Sequence, residues 1–360
     1  MYALDEIKAD QALFRQMVET QQAYRPLYVK IKLIFGCNLM CVMCNHWRTR
    51  REAPLSIERF LEIIDELAEL GCRKIHFSGG EALLRPQIVS LVERASVRGI
   101  RVTLTTNGTL VDKDNAKALI AAGLRGVNIS IDSPEKKIHD QIRGVPGSWK
   151  LACRAVRYFR RYSHKGKLTI RINTVVSHSN YLSLVELPAL ASDLGVDALN
   201  LIPVDDHCGE YLSLSHKHIG LFNTLIAPVL AKDSLRLGLL EREDQAYIFG
   251  KTPAAVKLGR RGEYAYGWYN GHPCFAPWTH ALVDFNGLVY VCCMTREQTQ
   301  PLGDLHTQSF SEIWHGEAYH QVRGKMFPAS LDACRRCDDF IDQNRRLYQL
   351  LRKSQVESGV

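Results

Sequence analysis

Strand-like and helix-like stretches alternate from residue 27 to residue 203, and this alternation restricts the fold more than any other feature. Leu27–Phe35 is an apolar run of strand length. Ser56–Leu70 then carries apolar residues at helical spacing (Ile57, Phe60, Leu61, Ile64, Leu67), with Ser56 placed to cap it and Gly71 to stop it. Further strands are expected at Lys74–Phe77, Ile100–Thr105, Gly126–Ile131, Leu168–Val176 and Ala198–Pro203. Helices are expected between them at Pro86–Arg98, Lys113–Ala122, Trp149–Tyr162 and Leu182–Leu194. Six strand–helix units imply an α/β fold with a parallel sheet and right-handed crossovers. They are too few to close an eight-stranded barrel.

The first strand runs directly into Cys37-Asn-Leu-Met-Cys41-Val-Met-Cys44. Three thiolates this close cannot all pair as disulfides, but a loop can wrap them around one metal centre. Structural zinc usually takes four protein ligands. A [4Fe–4S] cluster takes one ligand per iron, so three cysteines leave one iron open for another molecule. A zinc knuckle or three buried thiols are the alternatives. With 11 cysteines in 360 residues, clustered rather than spread, the chain is no disulfide scaffold, and the pattern favours metal binding in a reducing compartment.

This CxxxCxxC motif resembles that of the radical S-adenosylmethionine (SAM) superfamily. The resemblance implies an open, partial (β/α)6 barrel, similar to a TIM barrel, with its chemistry at the C-terminal ends of the strands. It also implies that the open iron chelates SAM through its amino and carboxylate groups. Electron transfer from the reduced cluster then yields methionine and a 5′-deoxyadenosyl radical, which takes a hydrogen atom from an unactivated substrate carbon. An electron donor such as flavodoxin or ferredoxin is implied as partner.

Other motifs extend the resemblance. Gly79, Gly80 and Glu81 follow the second strand, where the family binds the amino group of SAM. Asn107 ends the third strand, as a turn residue or a ligand contact. Asn128, Ser130 and Asp132 share one face of the fourth strand, and a polar face on a buried strand needs partners; inside such a barrel the expected partner is SAM, contacted by Ser130 and Asp132. The family uses a Ser here, and an Arg in a following His-Asp-x-x-Arg-Gly context, to hold SAM; these are Ser130 and Arg143. The sixth strand is expected to offer backbone and apolar contact to adenine.

A second cysteine set comprises Cys274, Cys292, Cys334 and Cys337, set around a hairpin expected over Asp284–Cys292 with Asn286-Gly287 as its turn. It resembles the twitch domain, a shorter relative of the SPASM domain, and implies one auxiliary [4Fe–4S] cluster, with zinc as the alternative. Cys293 should point away from Cys292 and pack. Cys72 and Cys153 read as buried thiols. Cys208 lies at the active-site end, among Asp205, Asp206, His207 and Glu210, either as a solvated loop or as acid–base groups with a hydrogen-donating thiol.

The expected organisation is an N-terminal helical extension (1–27), a barrel core (28–205), a substrate-lining connection (206–273) containing a helix at His216–Ala231, an auxiliary cluster domain of hairpin plus helix (274–340) and a C-terminal helix or tail (341–360). Apolar residues make up 46% and charged residues 23%, the balance of an ordinary globular protein. The N-terminus has no apolar signal region and no run of 18 apolar residues occurs, so the expected setting is the cytoplasm with no membrane partner. The formal charge of +8 comes from scattered basic residues without interleaved aromatics, so no nucleic-acid groove is expected. Residues 1–27 are too short for a peptide-recognition domain. The favoured substrate is therefore a small sugar-like or aminocyclitol-like molecule, with oxidation as the outcome. Epimerisation, decarboxylation, peptide modification, and a non-catalytic electron-transfer or zinc-binding role are the alternatives.

Overall fold

A computed structural model describes residues 4–48, 54–163, 166–206, 209, 211–296 and 298–357, with side chains to 352. The six expected strands form as β1 (Tyr28–Lys32), β2 (Lys74–Ser78), β3 (Arg101–Thr106), β4 (Leu124–Ser130), β5 (Thr169–Val176) and β6 (Ala198–Pro203). They pair in chain order, all parallel. Their outward faces carry the core: Val29, Ile31, Ile75, Phe77, Val102, Leu104, Val127 and Ile129 are fully buried, against apolar helix residues such as Phe60, Ile63, Leu91 and Phe159. The inward face is polar. His76 is held between Thr103 Oγ1 at 2.8 Å and Thr105 Oγ1 at 2.9 Å, and Asn128 reaches Thr105 Oγ1 at 3.4 Å. A barrel interior lined this way pairs its polar groups among themselves instead of packing apolar layers.

The helices start where their caps dictate. Ser56 accepts from the Arg59 amide at 3.1 Å and opens Ile57–Glu69. Asp112 makes a reciprocal capping box with Asn115 and opens Lys113–Ala121. A short helix at Lys136–Arg143 was not expected from the sequence, because it has few apolar positions to mark its period. The helix expected at His216–Ala231 runs on to Arg236, interrupted by one π turn at Phe222–Ile226.

The C-terminal region departs most from expectation. Asp284–Gly287 is only the turn of the expected hairpin; its first strand is β7 (His280–Val283), which pairs antiparallel with β8 (Leu288–Tyr290). β7 also pairs parallel with β1, Tyr28 opposite His280 and Ile31 opposite Val283, and β9 (Gly303–Asp304) completes a nine-stranded sheet. The auxiliary region thus continues the barrel sheet and is no separate layer. Cys292 and Cys293 lie in a turn past β8, not on a strand.

The N-terminal extension forms two helices, Leu4–Ala9 and Gln11–Glu19. They seat on the C-terminal region: Phe14 meets the Phe275 ring at 5.9 Å, and Trp278 Nε1 donates to Met17 O at 3.1 Å. Among the described residues no helix is long and apolar enough to cross a membrane.

Candidate functional site

The loop bearing Cys37, Cys41 and Cys44 leaves β1 and is pinned twice. Its start is held by the end of β2: the Gly80 amide donates to Ile34 O at 2.8 Å and the Glu81 amide to Gly36 O at 3.0 Å. A Cβ on Gly80 would lie 2.1 Å from Gly36 O, and one on Gly79, at φ +141°, 2.4 Å from Ile34 O. These two glycines are therefore required by the close passage of two backbones. Its middle is held by the C-terminus of helix Lys136–Arg143. The Met40 amide donates to Arg143 O at 3.1 Å and the Val42 amide to Ile142 O at 3.0 Å. Carbonyls left over at a helix end thus cap the cysteine loop.

Each of the three sulfurs receives an N–H group. Asn107 Nδ2 is 3.8 Å from Cys37 Sγ, Arg143 Nη1 is 3.8 Å from Cys41 Sγ, and the His46 amide is 3.5 Å from Cys44 Sγ. Donors aimed at sulfur are what an anionic iron–sulfur cluster needs around it. Burial pushes the Cys37 thiol up to about 11 and raises Cys41 as well, so binding a metal there must release protons. The three cysteines line one cavity of about 990 Å3 at the C-terminal mouth of the strands, with Gly79, Gly80, Asn107, Ser130 and Arg143. Ile202, Pro203 and Val204, at the end of β6, form an apolar part of its wall, where adenine contact was expected.

Two expected SAM contacts face elsewhere. The Glu81 carboxylate is buried: Oε1 accepts from the Leu83 amide at 3.0 Å and Thr106 Oγ1 at 2.7 Å, and Oε2 from the Asn107 amide at 2.7 Å. It does not line the cavity, because these three donors draw it under the loop. Asp132, fully buried just past β4, accepts from the Val175 amide at 3.0 Å. Its other oxygen lies 2.7 Å from Arg143 Nε, an ion pair off the line of a hydrogen bond. Asp132 therefore backs Arg143 and does not face the cavity. His139 accepts from the Asp132 amide at 3.1 Å, and burial lowers it to about 4, so it is a neutral brace in the same assembly.

Asp205 and Asp206 line the cavity, but both have structural partners: Asp205 pairs with Arg336, and Asp206 accepts from the Leu212 amide at 2.9 Å. His207, Cys208 and Glu210 lie outside the described residues.

The second cysteine set surrounds a small apolar cavity lined by Cys274, Cys292, Cys334 and Cys337 together with Tyr269, Met294 and Phe340. Here too donors point at sulfur: Asn344 Nδ2 is 3.6 Å from Cys274 Sγ and Tyr269 OH is 3.9 Å from Cys337 Sγ. Burial pushes Cys274 and Cys334 up to about 12 and raises Cys292 and Cys337 further. Four thiols in an apolar shell fit a closed auxiliary cluster. Among the described residues no three Cys, His, Asp or Glu side chains converge tightly enough for a single metal ion; each set rings a space instead. Bound at the first site, a cluster with three protein thiolates supplies the open iron and the electron for SAM cleavage.

Cys293 differs from the packed residue expected. Its neighbour faces the small cavity, whereas Cys293 lines the large one, 4.0 Å from Lys30 Nζ and 3.9 Å from Asp339 Oδ2. Lys32, Arg260, Arg261 and Tyr264 line the same cavity and were not singled out in the sequence. Only the inward phase of β1 could have flagged Lys32.

Comparisons with known proteins agree with this geometry. Residues 31–181 match the Radical SAM superfamily and residues 274–338 match an iron–sulfur cluster-binding domain, SPASM. The two families imply a SAM-binding [4Fe–4S] cluster and an auxiliary cluster. The chain is 33% identical over 178 residues to the AdoMet-dependent heme synthase of Methanosarcina barkeri, 49% of this chain and 50% of that protein. It thus spans about half the length of the first such relatives. It is 32% identical over 326 residues to the mycofactocin maturase MftC of Mycobacterium tuberculosis, 88% of this chain and 76% of that protein. The fold is similar to that of Streptococcus suis SuiB bound to precursor peptide SuiA, with a TM-score of 0.64 at 17% identity, covering 90% of this chain and 72% of that one. The chain belongs to the radical SAM superfamily and carries a SPASM iron–sulfur cluster-binding domain at its C-terminus.

Proposed function

We propose that the chain is a maturase that performs radical chemistry on a peptide. The observation that carries this reading is the 32% identity to mycofactocin maturase MftC, which extends over 88% of the chain. The likeness to the heme synthase is confined to about half of it. SuiB, similar in fold, was crystallised with a precursor peptide. A cavity of about 990 Å3 is at the upper end for small-molecule sites and suits SAM together with the reacting part of a larger substrate. These relatives give no support to the small sugar-like or aminocyclitol-like substrate expected from the sequence, nor to oxidation as the outcome.

On this reading Cys37, Cys41 and Cys44 hold the SAM-binding cluster and Arg143 takes the SAM carboxylate. Gly79, Gly80, Asn107 and Ser130 shape the pocket. Cys274, Cys292, Cys334 and Cys337 hold the auxiliary cluster. A flavodoxin or ferredoxin serves as electron donor. The test is anaerobic turnover of reconstituted protein with SAM, a low-potential reductant, and synthetic peptides encoded beside its gene. Formation of 5′-deoxyadenosine coupled to a mass change in one peptide is the expected result. SAM cleavage stimulated by aminocyclitols and by no peptide would overturn it.

A further inference from the structure

Beside the thiols, the small cavity is walled mainly by apolar groups such as Met294, Ala333 and Phe340, and only two hydroxyls line it. Thr295 brings one, but commits its hydrogen to Cys292 O at 2.9 Å. Tyr269 brings the other. Its buried hydroxyl accepts from Asn344 Nδ2 at 2.8 Å, and its own hydrogen is left for Cys337 Sγ at 3.9 Å. The orientation of the Asn344 amide is fixed. Its Oδ1 accepts from the Phe275 amide at 2.7 Å, a group that can only donate, so Nδ2 must face the other way. The two hydrogens on Nδ2 then have one acceptor each, Tyr269 OH and, at 3.6 Å, Cys274 Sγ. One chain of donors thus runs from the Phe275 amide through Asn344 and Tyr269 to Cys337, with a branch to Cys274. Each step donates towards sulfur, and bonds aligned this way polarise one another.

Packing holds the two side chains in register. Asn344 lies on the helix Ile341–Glu357, and Tyr348, one turn further on, meets the His272 ring at 5.0 Å. Trp268, next to Tyr269, stacks on the same His272 ring at 3.7 Å. Asp338 and Asp339 follow Cys337 but do not line the small cavity: Asp338 lines the large one, and Asp339 pairs with Lys30 at 3.4 Å.

We infer that Asn344 and Tyr269 raise the reduction potential of the auxiliary cluster, so that it holds an electron more readily than its apolar shell alone would allow. The inference rests on the reading that Cys274, Cys292, Cys334 and Cys337 hold that cluster. Gaining one electron makes a cluster and its thiolates more anionic, and burial among apolar groups disfavours that charge. N–H and O–H donors aimed at the ligating sulfurs stabilise the more anionic state and so shift the potential upward. Both are positioning residues that act through the thiolates, and the helix Ile341–Glu357 delivers one of them.

The experiment uses the full chain with Cys37, Cys41 and Cys44 replaced by Ala, reconstituted anaerobically so that only the auxiliary site carries iron. A redox titration with a low-potential reductant, followed by the electron paramagnetic resonance signal of the one-electron-reduced cluster, gives the potential. Tyr269→Phe keeps the ring and removes the hydroxyl. It should lower the equilibrium constant for reduction about three- to tenfold, a fall of about 30–60 mV for one electron. Asn344→Asp keeps the acceptor for the Phe275 amide, removes the donors to Tyr269 and Cys274, and draws the Tyr269 hydroxyl hydrogen away from Cys337. It should lower the potential further. Both variants should retain about four irons per chain. Four irons with an unchanged or higher potential in both variants would overturn the inference and leave the cluster reading standing. Loss of iron in both variants would make the pair a clamp on the cluster instead and overturn the inference; if only one loses iron, the potential of the other decides. No iron in the parent protein would overturn the cluster reading and the inference with it.

Discussion

Cys292 and Cys293 are chemically identical neighbours whose side chains face different cavities, so position alone separates their roles. Cys292→Ala should lower the iron content by about four atoms per chain, while Cys293→Ala should leave it unchanged; iron and sulfide analysis of reconstituted protein checks both. Arg143 and Glu81 form a second contrast. Arg143→Ala removes a guanidinium from the cavity wall and should weaken SAM binding by about 1.5–3 kcal/mol with iron retained. Glu81→Gln should leave SAM affinity close to wild type, because the carboxylate faces three protein donors. It should instead lower stability by about 1–3 kcal/mol, since the amide cannot accept all three bonds. Equilibrium dialysis with labelled SAM and thermal unfolding separate the two outcomes, and a large loss of SAM affinity in Glu81→Gln would show that its carboxylate turns into the cavity. The sequence makes these residues visible through their motifs. It gives Glu81 and Asp132 the wrong facing, because an acid beside a ligand and an acid bracing a ligand contact look alike in one dimension.

The cysteine loop is an element with no regular structure of its own, and its shape is borrowed from two neighbours. β2 supplies the glycines that let its backbone pass, and helix Lys136–Arg143 supplies carbonyls for its amides. Gly80→Ala should therefore act through the loop. A Cβ 2.1 Å from Gly36 O cannot be accommodated without shifting backbone, and the variant should lose most iron at the first site while keeping the auxiliary iron. Mössbauer or iron analysis in a background lacking Cys292 would isolate the first site; full occupancy there would mean the loop tolerates the shift. The glycines are legible in the sequence as a motif, but their cause is not. The helix at Lys136–Arg143 is hidden because only His139, Ile142 and Arg143 of its eight residues are buried, too few to mark a helical period.

At the scale of the molecule, the N-terminal helices, the barrel and the auxiliary region form one body. Trp278 is fully buried and its ring nitrogen ties the N-terminal helix at Met17 to the auxiliary region. Trp278→Ala should cost about 3–5 kcal/mol, seen as a lower midpoint in chemical unfolding, and N-terminal proteolysis should accelerate in step. Sequence alone determined the parallel α/β core, because alternation of period two and period 3.6 leaves few other folds. It also determined both thiol sets, because thiol spacing within a loop is local. Only the tertiary structure decided that β7 joins β1 and fuses the auxiliary region to the barrel. Only it showed that Cys293 and Lys32 share one cavity. Those facts depend on which distant segments meet: Tyr28 lies opposite His280 in the sheet, yet the two are separated by most of the chain, and no local pattern encodes that pairing.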